Sequence, residues 1–307
     1  MSNFLVTGGC GFIGSHLVDH LVNLGHKVYV IDNLSTGYNE NIAHHTQIEI
    51  YKADIERFDL SQIKELHGVF HLAAQASVPI SIERFLESSS SNLLGTLNVL
   101  DYCTKRKIPF VYATSSAIYG NLEFGDEKGG IDLLSPYAVD KYCMELYADV
   151  LHKASGLNSF GLRFFNVYGP RQDASSPYSG VISIFIERLL NQQAITVNGG
   201  YQTRDFVFVG DVVKCLFMAY EHLAEKGGCE VANVLTGHSV SIDQLVADLA
   251  DLIGFKPEIT LKDLPFGDPE RSEGSVKHMC EKLPVKVEEF IKFKEGLATT
   301  VEWYKHK

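Results

Sequence analysis

Apolar residues in the first half of the chain follow two alternating rhythms. Short continuous runs such as Phe4-Leu5-Val6 and Val28-Tyr29-Val30-Ile31 are bounded by polar or glycine residues, the pattern of a strand buried on both faces. Between them the spacing lengthens to three and four, as at Ile13, Leu17, Leu21 and Leu24, which is the stripe of an amphipathic helix. This reading predicts strands near 4–7, 27–31, 48–51, 69–72 and 110–114, and helices near 12–24, 58–65, 80–105 and 136–155. Such alternation predicts an α/β fold, a doubly wound parallel sheet with helices on both faces.

The second half is less regular. Asn158 to Phe165 reads as another buried strand, and the segment Asp173 to Gly180 is a loop rich in Ser, Pro and Gly. Beyond it the pattern predicts helices at 181–192, 211–225 and 241–253, and strands around Ile195–Val197, Phe206–Val209 and 230–234. A Pro/Gly-punctuated stretch and a last helix over 286–304 follow. There are no internal repeats and no low-complexity tracts.

Two short motifs carry chemistry. Between the first strand and helix lies Gly8-Gly9-Cys10-Gly11-Phe12-Ile13-Gly14, in which Gly8 permits a tight turn, Gly11 lets a pyrophosphate approach the backbone, and Gly14 lets helix pack on strand. The helix N-terminus offers unpaired N–H groups to the phosphates. The second strand ends at Asp32-Asn33, and a carboxylate there holds ribose hydroxyls and repels a 2′-phosphate, so NAD is expected over NADP. The second motif is Tyr137-x-x-x-Lys141, about two dozen residues after Thr114-Ser115-Ser116. A spacing of four puts phenol and ammonium on one helix face, where the ammonium is expected to lower the phenol pKa and make it a base for a sugar or alcohol hydroxyl.

Composition narrows the field. At 307 residues the chain buries a large core, as one α/β unit or two close-set lobes. A net charge of −11 argues against nucleic acid and anionic membranes as partners. Six scattered cysteines without a C-x-x-C read as reduced thiols of a cytoplasmic protein. The paired histidines His16/His20, His44/His45 and His67/His71 have no carboxylate or cysteine at ligand spacing, so no metal site is expected. No apolar run reaches a membrane span, and with a core strand starting at Phe4 no signal peptide is expected.

Taken in order, the motifs resemble those of the extended short-chain dehydrogenases/reductases, most closely the nucleotide-sugar 4-epimerases. They are Thr7 to Gly14, Asp32-Asn33-Leu34-Ser35-Thr36-Gly37, Ala53-Asp54-Ile55, His71-Leu72-Ala73-Ala74, Asn92 to Thr96, Thr114 to Gly120, Tyr137…Lys141, Arg163 to Pro170 and Arg204-Asp205-Phe206. The resemblance implies a Rossmann-type NAD-binding domain over 1–165, to which some later segments return, and a substrate lobe over 166–307. It implies that NAD is held by Gly8, Gly11, Phe12, Ile13, Asp32, Asn33, Ser35, Thr36, Gly37, Asp54, Ile55, Leu72, Ala73, Ala74, Gln75, Asn92, Tyr137, Lys141 and Phe164. It places substrate against Ser77, Ser115, Ser116, Tyr137, Asn166, Val197, Arg204, Arg271 and Ser272. A homodimer through the helices near 92–105 and 136–155 is also implied.

In this family the serine two dozen residues before the tyrosine hydrogen-bonds the sugar hydroxyl. Counting back from Gly120 gives Ser115, with Ser116 the runner-up. The next two positions distinguish reactions: related 4,6-dehydratases carry Asp and Glu there and decarboxylases Glu at the second, whereas this chain has Ser116 and Ala117. Elimination therefore lacks its acid and base, and epimerisation remains. One departure concerns the substrate: the family's Arg-x-Gly-Asp is here Pro265-Phe266-Gly267-Asp268, leaving Arg271 as the replacement for a phosphate-binding arginine. Four residues after Asp268, where a bulky Tyr restricts relatives to plain hexoses, stands Ser272, which implies room for an N-acetyl group. The alternatives are a related dehydrogenase, reductase or GDP-/dTDP-sugar epimerase, and a catalytically silent NAD-binding protein.

Overall fold

The computed structural model describes residues 1–174, 180–264 and 270–307. In chain order the elements are β1 (Asn3–Thr7), α1 (Phe12–Asn23), β2 (Lys27–Asp32), β3 (Ile48–Lys52), β4 (Gly68–His71), α2 (Val78–Glu83), α3 (Phe85–Ser89), α4 (Gly95–Arg106), β5 (Phe110–Ser115), α5 (Pro136–Ser155), β6 (Ser159–Phe164) and β7 (Asn166–Tyr168). There follow α6 (Val181–Leu190), β8 (Ile195–Asn198), β9 (Thr203–Phe208), α7 (Val209–Lys226), β10 (Cys229–Val234), β11 (Ser239–Ser241), α8 (Ile242–Ile253), β12 (Ile259–Lys262), β13 (Arg271–Ser272), α9 (Lys277–Lys282) and α10 (Phe293–Lys305).

Seven strands form one sheet in the order β10-β6-β5-β4-β1-β2-β3, and every neighbouring pair is parallel. The chain winds outwards from β1 in two directions, so the strand order reverses between β1 and β4. Beside such a reversal, the carboxyl ends of the strands leave a crevice for a ligand. The sheet is covered on both faces: α1 and α7 contribute Leu17, Leu21, Val212 and Leu216 to one core, and α4 and α5 contribute Val99, Leu100, Met144 and Ala148 to the other. A third core, around Tyr168, Phe185, Ile186, Leu245 and Leu297, belongs to the second half. β10 returns from that half to the edge of the main sheet, as expected of an interleaved arrangement.

Several expectations are corrected. The helix predicted over 58–65 is only a 3₁₀ turn at Leu60–Gln62, capped by the Asp59 carboxylate accepting from the Ser61 N–H. The helix predicted over 80–105 is broken: Arg84 leaves helical geometry between α2 and α3, and a wide π-turn at Ser90–Leu94 precedes α4. Within that turn Asn92 hydrogen-bonds the Gln75 backbone twice, a tertiary contact that no periodicity records. The last helix begins at Phe293, because the Asp211 carboxylate takes the Ile291 N–H at 2.8 Å. Strand β9 starts three residues before the expected 206, held by β7, β11 and β13. Those three short strands, together with β12 and α9, were not legible from the sequence.

Candidate active site

The glycine turn sits at the carboxyl end of β1. Gly8 has φ +70°, and its N–H donates to the Ile31 carbonyl of β2. The glycines divide as their chemistry predicts. A Cβ on Gly14 would lie 2.0 Å from the Gly8 carbonyl oxygen, so this residue packs helix on strand, while a Cβ on Gly11 would meet only that oxygen, at 3.2 Å. Gly11 caps α1, and the backbone around it is open enough for a pyrophosphate to approach the helix N-terminus.

Asp32 is buried at the end of β2. Its carboxylate accepts from Cys10 N–H at 2.9 Å and from Leu34 N–H at 2.8 Å, so the same group that would hold a ribose also fixes the glycine turn. Asn33 donates to Asp54 at 2.9 Å and accepts from the Ser35 N–H, drawing together three of the predicted cofactor residues. Thr36 is exposed and Gly37 packs against Cys10. On the other side of the crevice His71 is hydrogen-bonded to Thr7 and Thr96, and Thr7 accepts from the Leu72 and Ala73 N–H groups. Burial and then Lys141 push the His71 pKa down to about 3, so its ring is neutral. These features fit NAD, with a glycine cradle that a Cβ would fill, a helix N-terminus and an acid at the strand end.

Three predicted cofactor residues are buried and committed to other parts of the fold. Asn92 is 1% exposed and gives its side chain to Gln75 and Ser88, so it holds the loop at Gln75 in place. Ile55 is buried against Gly95, and Phe164 is part of a sheet core. Phe12 and Ile13 open α1 beside Gly11, and Ala74 lies in the loop that Asn92 pins.

Ser115 ends β5 and its hydroxyl accepts from the Ala117 N–H, which starts a 3₁₀ turn at Ser116. Helix α5 opens with Ser135 accepting from the Ala138 N–H and with Pro136 in its first turn, both local start signals. Tyr137 and Lys141 then face β5. The Ser115 hydroxyl is close enough to the Tyr137 phenol to favour its charged form, and the Lys141 ammonium lies 5.8 Å from the Tyr137 ring centre while donating to the Ala113 carbonyl at 2.8 Å. All three residues read as catalytic from the sequence thus converge.

Their electrostatics depart from the expectation. Burial pushes the Tyr137 phenol up from its ordinary value, with the Ser115 hydrogen bond working against it. Burial also pulls Lys141 down to about 8, opposed by Asp140. The lowering of the phenol read from the helical spacing is reversed, because both groups are taken out of water and the ammonium is turned to a backbone carbonyl.

A cavity of about 240 Å³ lies beyond, lined by Asn166, Val181, Phe185, Thr196, Asn198, Gln202, Arg204 and Ile242. Asn166 donates to the Asp205 carbonyl at 2.9 Å and to the Ser272 hydroxyl at 3.1 Å. β13 pairs with β9 so that Ser272 stands beside Arg204 and Arg271 beside Thr203; Arg271 is exposed. The Asp205 carboxylate accepts from Thr236 and Gly237, so it is committed to that loop. Val197 is corrected: it is 1% exposed and packed in the third core, whereas its neighbours Thr196 and Asn198 line the cavity. Alternation along β8 was the signal that distinguishes them. Ser77 caps α2. Pro265 to Asp268 lie outside the described residues.

The fold also builds a cluster that the sequence did not show. Asp19 of α1 meets His45 at 2.7 Å and His44 at 3.5 Å, and Arg171 reaches the same carboxylate at 2.8 Å. With the guanidinium on that carboxylate the group is an ion-paired clasp between α1 and the segment after β7.

A doubly wound sheet with a glycine cradle, an acid after β2 and a Ser-Tyr-Lys group at its carboxyl edge defines a nucleotide-dependent short-chain dehydrogenase/reductase. Residues 4–234 match the NAD-dependent epimerase/dehydratase family, and the chain belongs to it. A relative described as a putative UDP-glucose 4-epimerase of Methanocaldococcus jannaschii is 39% identical over 98% of each chain. Among solved structures, a UDP-N-acetylglucosamine 4-epimerase of Methanobrevibacter ruminantium, in complex with UDP-N-acetylmuramic acid, superposes with a TM-score of 0.94. It is 37% identical, covering 99% of this chain and 98% of that one. The UDP-glucose 4-epimerase of Thermotoga maritima with UDP-glucose gives a TM-score of 0.92 at 36% identity, covering 99% of this chain and 99% of that one.

Proposed function

We propose that the protein is a UDP-sugar 4-epimerase using bound NAD. The observation that carries this reading is the convergence of Ser115, Tyr137 and Lys141 in a chain with no carboxylate at positions 116 and 117. NAD when bound supplies the hydride acceptor at the sugar carbon and, in its oxidised form, a positive ring that favours the Tyr137 phenolate. Ser115 holds the sugar 4-hydroxyl by a hydrogen bond, and Tyr137 takes the proton as the carbon is oxidised. Lys141 supplies positive charge beside the phenolate and a donor for the nicotinamide ribose. After the keto sugar turns its other face, the hydride would return to the sugar carbon and Tyr137 would return the same proton to the oxygen, so no external acid or oxidant is consumed.

Arg204 suits a diphosphate, since a guanidinium donates through two parallel N–H groups. Asn166 lines the cavity with Arg204 and donates to Ser272, and the small hydroxyl at 272 supports UDP-GlcNAc/UDP-GalNAc as substrates alongside UDP-Glc/UDP-Gal. Residues 1–165, with β10, are read as the NAD-binding domain and 166–307 as the substrate lobe. Exposed Leu94, Val139, Leu146, Tyr147 and Val150 on the segment around α4 and on α5 support a homodimer through those helices, since a monomer would leave this apolar face in water. Val99, Leu100 and Met144 are by contrast core residues. Six free thiols support a cytoplasmic location.

The test is to assay purified protein for co-purifying NAD and to incubate it, with no added cofactor, with a panel of nucleotide sugars. Epimer formation from UDP-sugars is expected, with NADP failing to replace NAD after cofactor removal. Turnover that requires stoichiometric added NAD and accumulates NADH would instead make the protein a net dehydrogenase.

A further inference from the structure

A buried charged group beneath the Ser-Tyr-Lys site has no part in the chemistry above. Glu145 lies one helical turn after Lys141 on α5, and Arg163 lies on β6; their side chains are 5% and 6% exposed. The pair is bidentate, with Arg163 Nε donating to Glu145 Oε1 at 3.0 Å and Nη2 to Oε2 at 2.6 Å. The same Oε1 accepts from the Thr114 hydroxyl at 2.7 Å. Thr114 sits between Ala113, whose carbonyl receives Lys141, and Ser115, whose hydroxyl is beside the Tyr137 phenol. From Arg163 the chain continues: Nη1 donates to the Tyr119 hydroxyl at 2.8 Å, and Tyr119 donates to Asn233 Oδ1 of β10 at 2.7 Å. Asn233 in turn donates to the carbonyls of Gly125 and Ser275, a few residues from Ser272.

We infer that Glu145, Arg163 and Thr114 are positioning residues, whose buried network fixes the end of β5 against α5 and so sets the Ser115–Tyr137–Lys141 spacing. An ion pair taken out of water is a poor device for stability, because well-packed apolar side chains of similar volume hold a fold as well or better. A geometric role accounts for it. The carboxylate grips the one strand residue flanked by both site contacts, and the guanidinium carries that grip to β6 and β10. A displacement of about 1 Å in such a site lowers rate by about 100-fold without removing any reacting group.

This inference rests on the catalytic reading of Tyr137, so the experiment separates the two. Thr114→Val cuts the hydroxyl link and leaves the ion pair; Thr114→Ser keeps the hydroxyl; a double Glu145→Met/Arg163→Met variant removes both charges; Tyr137→Phe is the reference. Each is measured for melting temperature, co-purified NAD, kcat and KM. Thr114→Val is expected to lose about 10-fold or more in kcat, with NAD content and KM near wild type, and Thr114→Ser to restore it. The double variant is expected to melt close to wild type yet turn over slowly. Wild-type kcat in Thr114→Val, or in a double variant that folds, overturns the positioning role while Tyr137→Phe stays inactive; a double variant that does not fold shows the pair to be structural and overturns it for Glu145 and Arg163. Activity retained in Tyr137→Phe would instead remove the catalytic reading itself.

Discussion

Asn166 Nδ2 donates to Ser272 Oγ at 3.1 Å, joining residues 106 apart in sequence beside the cavity that Asn166 lines. The contact puts the small side chain counted from the glycine-aspartate motif beside an amide that lines the cavity, with Arg204 paired across the adjoining strand. Replacing Ser272 with Tyr puts a ring where an acetamido group would fit. The ratio of UDP-GlcNAc to UDP-Glc turnover is therefore expected to fall about 10-fold or more in Ser272→Tyr. A ratio equal to that of the wild type places the sugar gate elsewhere.

Tyr137→Phe removes one hydroxyl and little volume, so the helix and the cofactor cradle are expected to survive. Turnover is expected to fall by about 10²–10⁴ while extracted NAD per chain stays at the wild-type level. Substantial residual activity would show that another group accepts the proton.

The two glycine positions separate packing from ligand binding. Gly14→Ala brings a methyl group to 2.0 Å from the Gly8 oxygen and is expected to destabilise the fold by about 1–3 kcal/mol or more, seen as a lower melting temperature. Gly11→Ala, at 3.2 Å from the same atom and with φ −75°, is expected to melt near wild type but to carry little NAD. A Gly11→Ala protein with its full cofactor content would show that the pyrophosphate does not approach there.

Lys141 gives a pH signature. Its folded pKa of about 8 lies below the ordinary 10.5, so below pH 8 both states hold the proton and the folded state bears the cost of a buried ammonium. Between pH 8 and 10.5 the unfolded chain binds more protons, and wild-type stability rises relative to a variant lacking the amine. The melting temperature of Lys141→Met relative to wild type is expected to drop as pH goes from 7 to 10, by a free energy on the order of 1–3 kcal/mol. A difference independent of pH would mean that Lys141 does not titrate in this window.

Where the local chain dictates structure, the sequence was read closely. Helix α5 occupies the predicted 136–155 because Ser135, Pro136 and a left-handed Gly156 mark its two ends. Tyr137 and Lys141 share a face by helical geometry alone, and strands β1, β2, β4, β5 and β6 follow from apolar runs that only a doubly covered sheet can bury. The glycine turn and Asp32 were legible for the same reason, since a positive φ at Gly8 and an acid at a strand end are properties of neighbours in the chain.

Contacts between distant segments were decided by the tertiary structure. No periodicity foretold that β13 would pair with β9 and bring Ser272 to Asn166, that Asn92 would hold Gln75 from within a π-turn, or that Glu145 would meet Arg163 and Thr114. Alternation along β8 put Val197 and Thr196 on opposite faces, and packing then turned the Val197 face to the core and the Thr196 face to the cavity. The direction of the Tyr137 shift belongs to the same group: burial, which exists only once the sheet and helices have closed, raises the phenol, and it is the Ser115 hydroxyl that works against it.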